Sequence, residues 1–172
     1  MRNVKVAAVQ MSCLGTVQEN IAKAEKFVRE AAGNGANIIL LSELFERQYF
    51  CQERRYEYYD FAKSLEDNDA VNHFKSVAGE LGVVLPISFY EKDGNVLYNS
   101  IAIIDADGEI LGVYRKTHIP DDHFYQEKFY FTLENSEGET IQVLEIEGSD
   151  TKRYTALTYD TAGTYTYTVK EI

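Results

Sequence analysis

ANIILLSE, residues 36–43, decides the fold. Apolar side chains fill consecutive positions 38–41 without polar alternation, the pattern of a strand covered on both faces. Helical patterns flank it on either side. Upstream, VKVAAVQM (residues 4–11) predicts a buried strand, and TVQEN predicts a helix start, with Thr16 as N-cap and Glu19 three residues later as its capping-box partner. Ile21, Ala24, Val28 and Ala31 then share one helical face, and Gly33 and Gly35 supply the exit. Downstream, the polar and aromatic residues 45–64 predict long loops with some helix. Asn68 or Asp69 can cap a second helix carrying Val71, Phe74, Ala78 and Leu81, ended by Gly82. VVLPISFYE and LYNSIAIID predict two strands joined by a KDGN hairpin turn, and ADGE turns the chain into ILGVYRK. A β-α-β-α-β order followed by a β meander predicts a layered α/β fold with a mixed sheet.

The 172-residue chain has room for one sizeable domain, or one domain with an appendage. A formal net charge of −11 leaves no basic patch to displace counterions from phosphates, which argues against nucleic acid as a partner. The two cysteines, Cys13 and Cys51, are widely spaced, so neither a disulfide framework nor a zinc site is expected. The N-terminal residues alternate like a strand and lack a signal-peptide core, and no stretch is long enough to span a bilayer. These features predict a soluble cytoplasmic protein with no membrane partner and no zinc site, and no other cofactor is expected.

Composition changes near residue 132. Threonine occurs three times in residues 1–132 and eight times in the remaining forty, and all nine phenylalanines lie at or before Phe131. TIQVLEIEG, KRYTALTYD and GTYTYTVKEI are three runs with strand-like alternation; in the last, Tyr165, Tyr167 and Val169 share one face and Thr164, Thr166, Thr168 and Lys170 the other. The expected organisation is therefore a domain over 1–131 and a β-strand-rich tail of different origin over 132–172.

Two residues stand where chemistry is expected. Glu43 follows the apolar run 38–41, at the carboxyl edge of the sheet where α/β folds bind ligands, and its apolar neighbours would raise its pKa toward the range of a general base. Lys116 ends ILGVYRK and could stabilise an oxyanion. Taken from composition alone, a surface glutamate at a strand end and a snorkelling lysine on an edge strand fit the same pattern.

AAVQM near the start, GANIILLSELFERQYFCQ, and YNSIAIIDADGEILGVYRKTHIPDDHFYQEKFYF resemble the N-terminal half of the nitrilase (carbon–nitrogen hydrolase) superfamily, closest to its N-carbamoylputrescine amidase branch. The resemblance covers residues 1–131 and about half of a complete family member, so it implies a truncated nitrilase-like α-β-β-α domain with a β-rich extension. It implies that Glu43 is the general base, Lys116 the oxyanion-facing lysine, and Glu127 of YQEKFYF a second glutamate that positions substrate and lysine. It further implies a metal-free reaction through a covalent acyl-enzyme, a small carbamoyl amine or amide as substrate, a link to putrescine and polyamine synthesis, and a homo-oligomer.

The family's nucleophilic cysteine lies downstream in a Cys-Trp-Asp context, and this sequence has neither tryptophan nor any cysteine beyond Cys51. Cys13 and Cys51 read as small apolar residues. The expectation is an amidase-like chain that does not turn over. The alternatives are a non-catalytic or chimeric scaffold, and a surface module: YDTAGTYTYTVKEI resembles the closing strands of a Gram-positive pilin or adhesin β-sandwich, where Glu171 matches the glutamate that assists an isopeptide bond. A metal site from His118, Asp121, Asp122 and His123 is conceivable on residue type, although the resemblance assigns that loop to the substrate pocket. Tyr56, Tyr58, Tyr59 and Phe61 form an aromatic cluster that packs in the core or, as the resemblance implies, covers the site or meets another subunit.

Overall fold

A computed structural model describes residues 3–120 and 125–130. The order is β1 (Val6–Ala8), α1 (Val17–Gly33), β2 (Ile38–Leu40), α2 (Asp69–Leu81), β3 (Leu85–Asp93), β4 (Val96–Ile104) and β5 (Ile110–Arg115). Short 3-10 segments occupy Phe50–Gln52, Tyr56–Phe61 and Glu127–Tyr130. The tail from residue 132, with its three strand-like runs and Glu171, lies outside the described residues, as do Asp121, Asp122 and His123.

Both helices begin as their sequences predict. The Thr16 hydroxyl accepts from the Glu19 N–H, and the Glu19 carboxylate accepts from the Thr16 N–H at 2.8 Å. Asn68 caps α2 by accepting from the Val71 N–H at 2.9 Å, and Gly82 closes it at φ 65°, a conformation glycine adopts without a Cβ penalty. The carboxyl ends of both helices carry no basic residue in the last turn, so these caps and apolar burial hold them.

β1 and β2 pair in parallel, while β3, β4 and β5 form an antiparallel meander. Hydrogen bonds from Ile39 N–H to Val84 C=O (3.0 Å) and from Val84 N–H to Asn37 C=O (2.9 Å) join the two groups. The strands thus form a two-stranded parallel sheet and a three-stranded antiparallel one, linked by an isolated parallel bridge at Ile38 and Val84 rather than merged into the single mixed sheet expected from the strand order. The hairpin between β3 and β4 turns on Gly94 at φ 59°.

The sheet separates two apolar clusters, because successive strand residues face opposite sides. Leu85, Ile87, Phe89, Ala102 and Ile104 point toward α1 and α2 and pack with Val28, Ile39, Phe45, Val71 and Phe74. Tyr90 points the other way and packs with Leu44, Phe50, Cys51, Ala62 and Phe129. The aromatic residues Tyr58, Tyr59 and Phe61 pack against this second cluster, whereas Tyr56 is exposed.

The first two strands differ from expectation. β1 is three residues long and Val6 is 69 % exposed; β2 is equally short and Leu40 is 46 % exposed. Among the described residues β1 pairs only with β2, so one of its edges has no strand neighbour. A run of apolar residues reports the burial a strand can accept, and the neighbours present decide how much it gets.

Candidate active site

The turn after β2 carries Glu43. Its successor Leu44 adopts φ 50°, a left-handed conformation costing a β-carbon residue about 1 kcal/mol, and its N–H donates to the Ser88 hydroxyl of β3 at 3.0 Å. Leu44 is buried in the second cluster, so packing and this hydrogen bond hold the turn. Lys116 comes directly after β5, where its N–H continues the ladder by donating to the Asn99 carbonyl at 2.8 Å. Glu127 opens the last 3-10 turn, which is pinned to the second cluster by the Gln126 N–H on the Cys51 carbonyl (2.7 Å) and by Phe129.

Three separate segments thus bring Glu43, Lys116 and Glu127 together. The Lys116 ammonium donates to Glu43 Oε1 at 2.8 Å and to Glu127 Oε1 and Oε2 at 3.1 and 3.0 Å. The two carboxylates stand in different surroundings: the Glu127 side chain is 2 % exposed and that of Glu43 46 %. Both Glu127 oxygens are occupied, since Tyr49 also donates its hydroxyl to Oε1 at 2.5 Å and Asn99 its amide to Oε2 at 3.3 Å. Asn99 donates to Glu43 Oε1 as well, at 2.6 Å, leaving Glu43 Oε2 without a hydrogen bond among the described residues. Glu127 is therefore a buried anchor, and the half-exposed Glu43 keeps one oxygen without a hydrogen bond among the described residues.

Burial pulls the Lys116 pKa down, but hydrogen bonds and charge from Glu43 and Glu127 outweigh it and hold the ammonium above its usual range. Burial and the Glu127 carboxylate push the Tyr49 phenol up, so it stays a hydrogen-bond donor. One Lys116 hydrogen satisfies Glu43 and one can bridge the two Glu127 oxygens, leaving the third for a developing oxyanion.

Cys51 lies within electrostatic reach of this cluster. Its thiol is pushed well above the ordinary cysteine range, first by burial and then by the charges of Glu127 and Glu43, against the smaller opposing pull of a Tyr49 hydrogen bond and of Lys116. Cys13 is also raised, by burial, and its thiol leans on the Met11 carbonyl at 3.7 Å. Neither environment makes a thiolate, the form that attacks carbonyls. His118 borders the site segment through a contact with the Thr117 hydroxyl, and no three-residue metal-binding group occurs among the described residues.

Residues 5–160 match the profile of the carbon-nitrogen hydrolase family. The chain belongs to that family. The chain is 54 % identical to the N-carbamoylputrescine amidase of Oryza sativa over 128 residues, which cover 74 % of this chain and 42 % of the relative. It is 52 % identical to the citrullinase of Francisella tularensis over 132 residues, covering 77 % of this chain and 46 % of that protein. The crystal structure of a carbon-nitrogen hydrolase from Helicobacter pylori superposes with a TM-score of 0.70 at 32 % identity, over 75 % of this chain and 44 % of that one. The chain thus spans less than half the length of these relatives. It shares the α/β fold of the nitrilase superfamily.

Asn99 and Tyr49 are site residues that the sequence reading passed over. Asn99 carried a signal, a carboxamide beside Ser100 in the otherwise apolar LYNSIAII, where a buried strand tolerates a polar side chain only with partners. Tyr49 carried none, because it stands in a stretch already rich in aromatic residues.

Proposed function

We propose that this chain carries the base and the charge-stabilising groups of an N-carbamoylputrescine amidase-like C–N hydrolase, without the thiol that would attack. Glu43 Oε2 is the proton acceptor, Lys116 faces the oxyanion, and Glu127 holds Lys116. In a complete site, Glu43 takes the proton of a thiol as its sulfur bonds to the carbonyl carbon. Lys116 stabilises the resulting oxyanion, and the proton passes to the departing nitrogen as the C–N bond breaks. Water then cleaves the thioester. The observation that carries the reading is the Lys116 ammonium held between the Glu43 and Glu127 carboxylates. The substrate class is a small amide or carbamoyl amine, as the names of the similar proteins suggest, and the setting a cytoplasmic, polyamine-related one. No helix among the described residues is long and apolar enough to cross a membrane. Residues 1–131 and 132–172 are proposed as two units of different origin, and homo-oligomerisation as the form in which the family domain works.

Ammonia release from N-carbamoylputrescine tests this. The expected result is release no faster than in buffer. Release that disappears in Glu43→Gln and Lys116→Ala would show that the chain turns over and that the inactivity is wrong. An acyl adduct on Cys51 or Cys13 by mass spectrometry would show which thiol attacks.

A further inference from the structure

We propose that Asn99 is the positioning residue of this site, bridging Glu43 and Glu127 so that both carboxylates face Lys116. The inference rests on the reading of those three residues as the family's reactive groups. Asn99 hydrogen-bonds to all three. Its backbone carbonyl accepts the Lys116 N–H at 2.8 Å, and its side-chain amide nitrogen donates to Glu43 Oε1 at 2.6 Å and Glu127 Oε2 at 3.3 Å. The residue is buried in β4, between β3 and β5, where pairing on both sides fixes its backbone.

The chemistry of the pair of contacts assigns the side chain. Ionised carboxylates only accept, so the nitrogen, which has two hydrogens, faces them, one hydrogen for each. A serine or threonine at this position could satisfy one carboxylate. A lysine or arginine would satisfy both but add a second cation and compete with Lys116. An aspartate would add a third negative charge and donate nothing when ionised. Among short side chains, a neutral amide is what can tie two anions to a rigid strand without changing the net charge of −1 from Glu43, Glu127 and Lys116.

The two carboxylates depend on the bridge unequally. Glu127 keeps Tyr49 and Lys116 if the amide is removed, and its side chain is only 2 % exposed. Glu43 is half-exposed and keeps only Lys116, so it is free to turn outward. Asn99 thus fixes Glu43 Oε1 inward and, through the planarity of the carboxylate, points Oε2 toward the open side.

Acetylation of the full chain by acetic anhydride, followed by peptide mass spectrometry, reads this without any need for turnover. Only the uncharged amine reacts, so each unit of pKa change alters the Lys116 rate about tenfold. In the wild type, Lys116 should acetylate more slowly than Lys63 and Lys92. Asn99→Leu, which removes the donors at similar size, is expected to speed Lys116 by roughly three- to tenfold as Glu43 swings away. Asn99→Asp, which keeps the shape and adds charge, is expected to slow it by roughly threefold or more. Opposite signs support a bridge; a packing role loosens the site in both variants and speeds both. Acceleration in both, or no change in either, overturns the proposal. If Asn99→Leu does not fold, Asn99→Asp decides alone: slowing supports the bridge and an unchanged or faster rate refutes it. A wild-type Lys116 as reactive as Lys92 would sink the three-residue site itself and this proposal with it, whereas ammonia release would touch only the reading of inactivity.

Discussion

Replacing Lys116 by methionine should cost far more stability than removing its exposed partner. The Glu127 side chain is 2 % exposed and would lose its cation, with only Tyr49 and Asn99 still donating to it. Breaking a buried pair from one side costs about 3–5 kcal/mol, and the two remaining donors place the expected value near the lower end. Glu43→Gln breaks a pair whose carboxylate is 46 % exposed, so water screens it and its loss should cost less than about 1 kcal/mol. Against a whole-domain stability of about 5–15 kcal/mol, the first change is large and the second small. Urea titration followed by far-ultraviolet circular dichroism separates them. With a slope of about 1–3 kcal/mol per molar, Lys116→Met should lower the midpoint by about 1–3 M. The double variant Lys116→Met/Glu127→Gln removes the stranded charge and should recover a substantial part of the loss, a coupling that only interacting residues show. Equal costs for Lys116→Met and Glu43→Gln, or strict additivity in the double variant, would refute the argument that Glu127 is a buried ion held by this lysine.

Iodoacetamide should modify Cys51 far more slowly in the native chain than after unfolding, because burial and two nearby carboxylates keep its thiol protonated; equal rates in the two states would contradict that environment. The same shift should appear in stability. A thiol raised in the folded state stabilises fully below its unfolded pKa of about 8.5 and loses that contribution as pH rises past it. Lys116, also raised, contributes fully below about 10.4 and loses its part as pH climbs through its higher folded value. Stability should therefore fall in two alkaline stages, the first from Cys51 and Cys13 and the second from Tyr49 and Lys116, and Cys51→Ala should reduce the first. Gly108→Ala should destabilise by about 2 kcal/mol or more, since φ is 87° and a Cβ would lie 2.6 Å from the Lys75 carbonyl oxygen. Gly94→Ala, at φ 59° with open space around it, should cost only about 1 kcal/mol; thermal unfolding of the two variants orders them.

Much of the local structure was legible in residue order. The Thr16–Glu19 box, the Asn68 cap and the Gly82 exit act over a few residues, and the KDGN turn is set by one glycine, so short-range chemistry suffices. The strands were less legible. Val6 and Leu40 look like core residues in sequence and stand exposed, because strand burial depends on neighbours that no local pattern encodes. Glu43 and Lys116 carried two readings each on composition alone, and family resemblance favoured the chemical one for both. Glu127 was placed by resemblance, and Asn99 and Tyr49 were passed over, because a hydrogen bond between residues 28 or 78 positions apart leaves no periodic trace.

The residues by themselves determined that this chain would alternate strand and helix, where its helices would start, and that its two thiols sit outside the family's nucleophile motif; these follow from spacing, capping chemistry and residue identity. Only the tertiary structure decided that a turn, a strand end and a 3-10 turn meet on one side of the sheet. It also decided that one glutamate is buried and anchored while the other keeps an oxygen open to water. The physical reason is that charge, burial and hydrogen bonding at a site depend on groups far apart along the chain, and packing alone sets the distances between them.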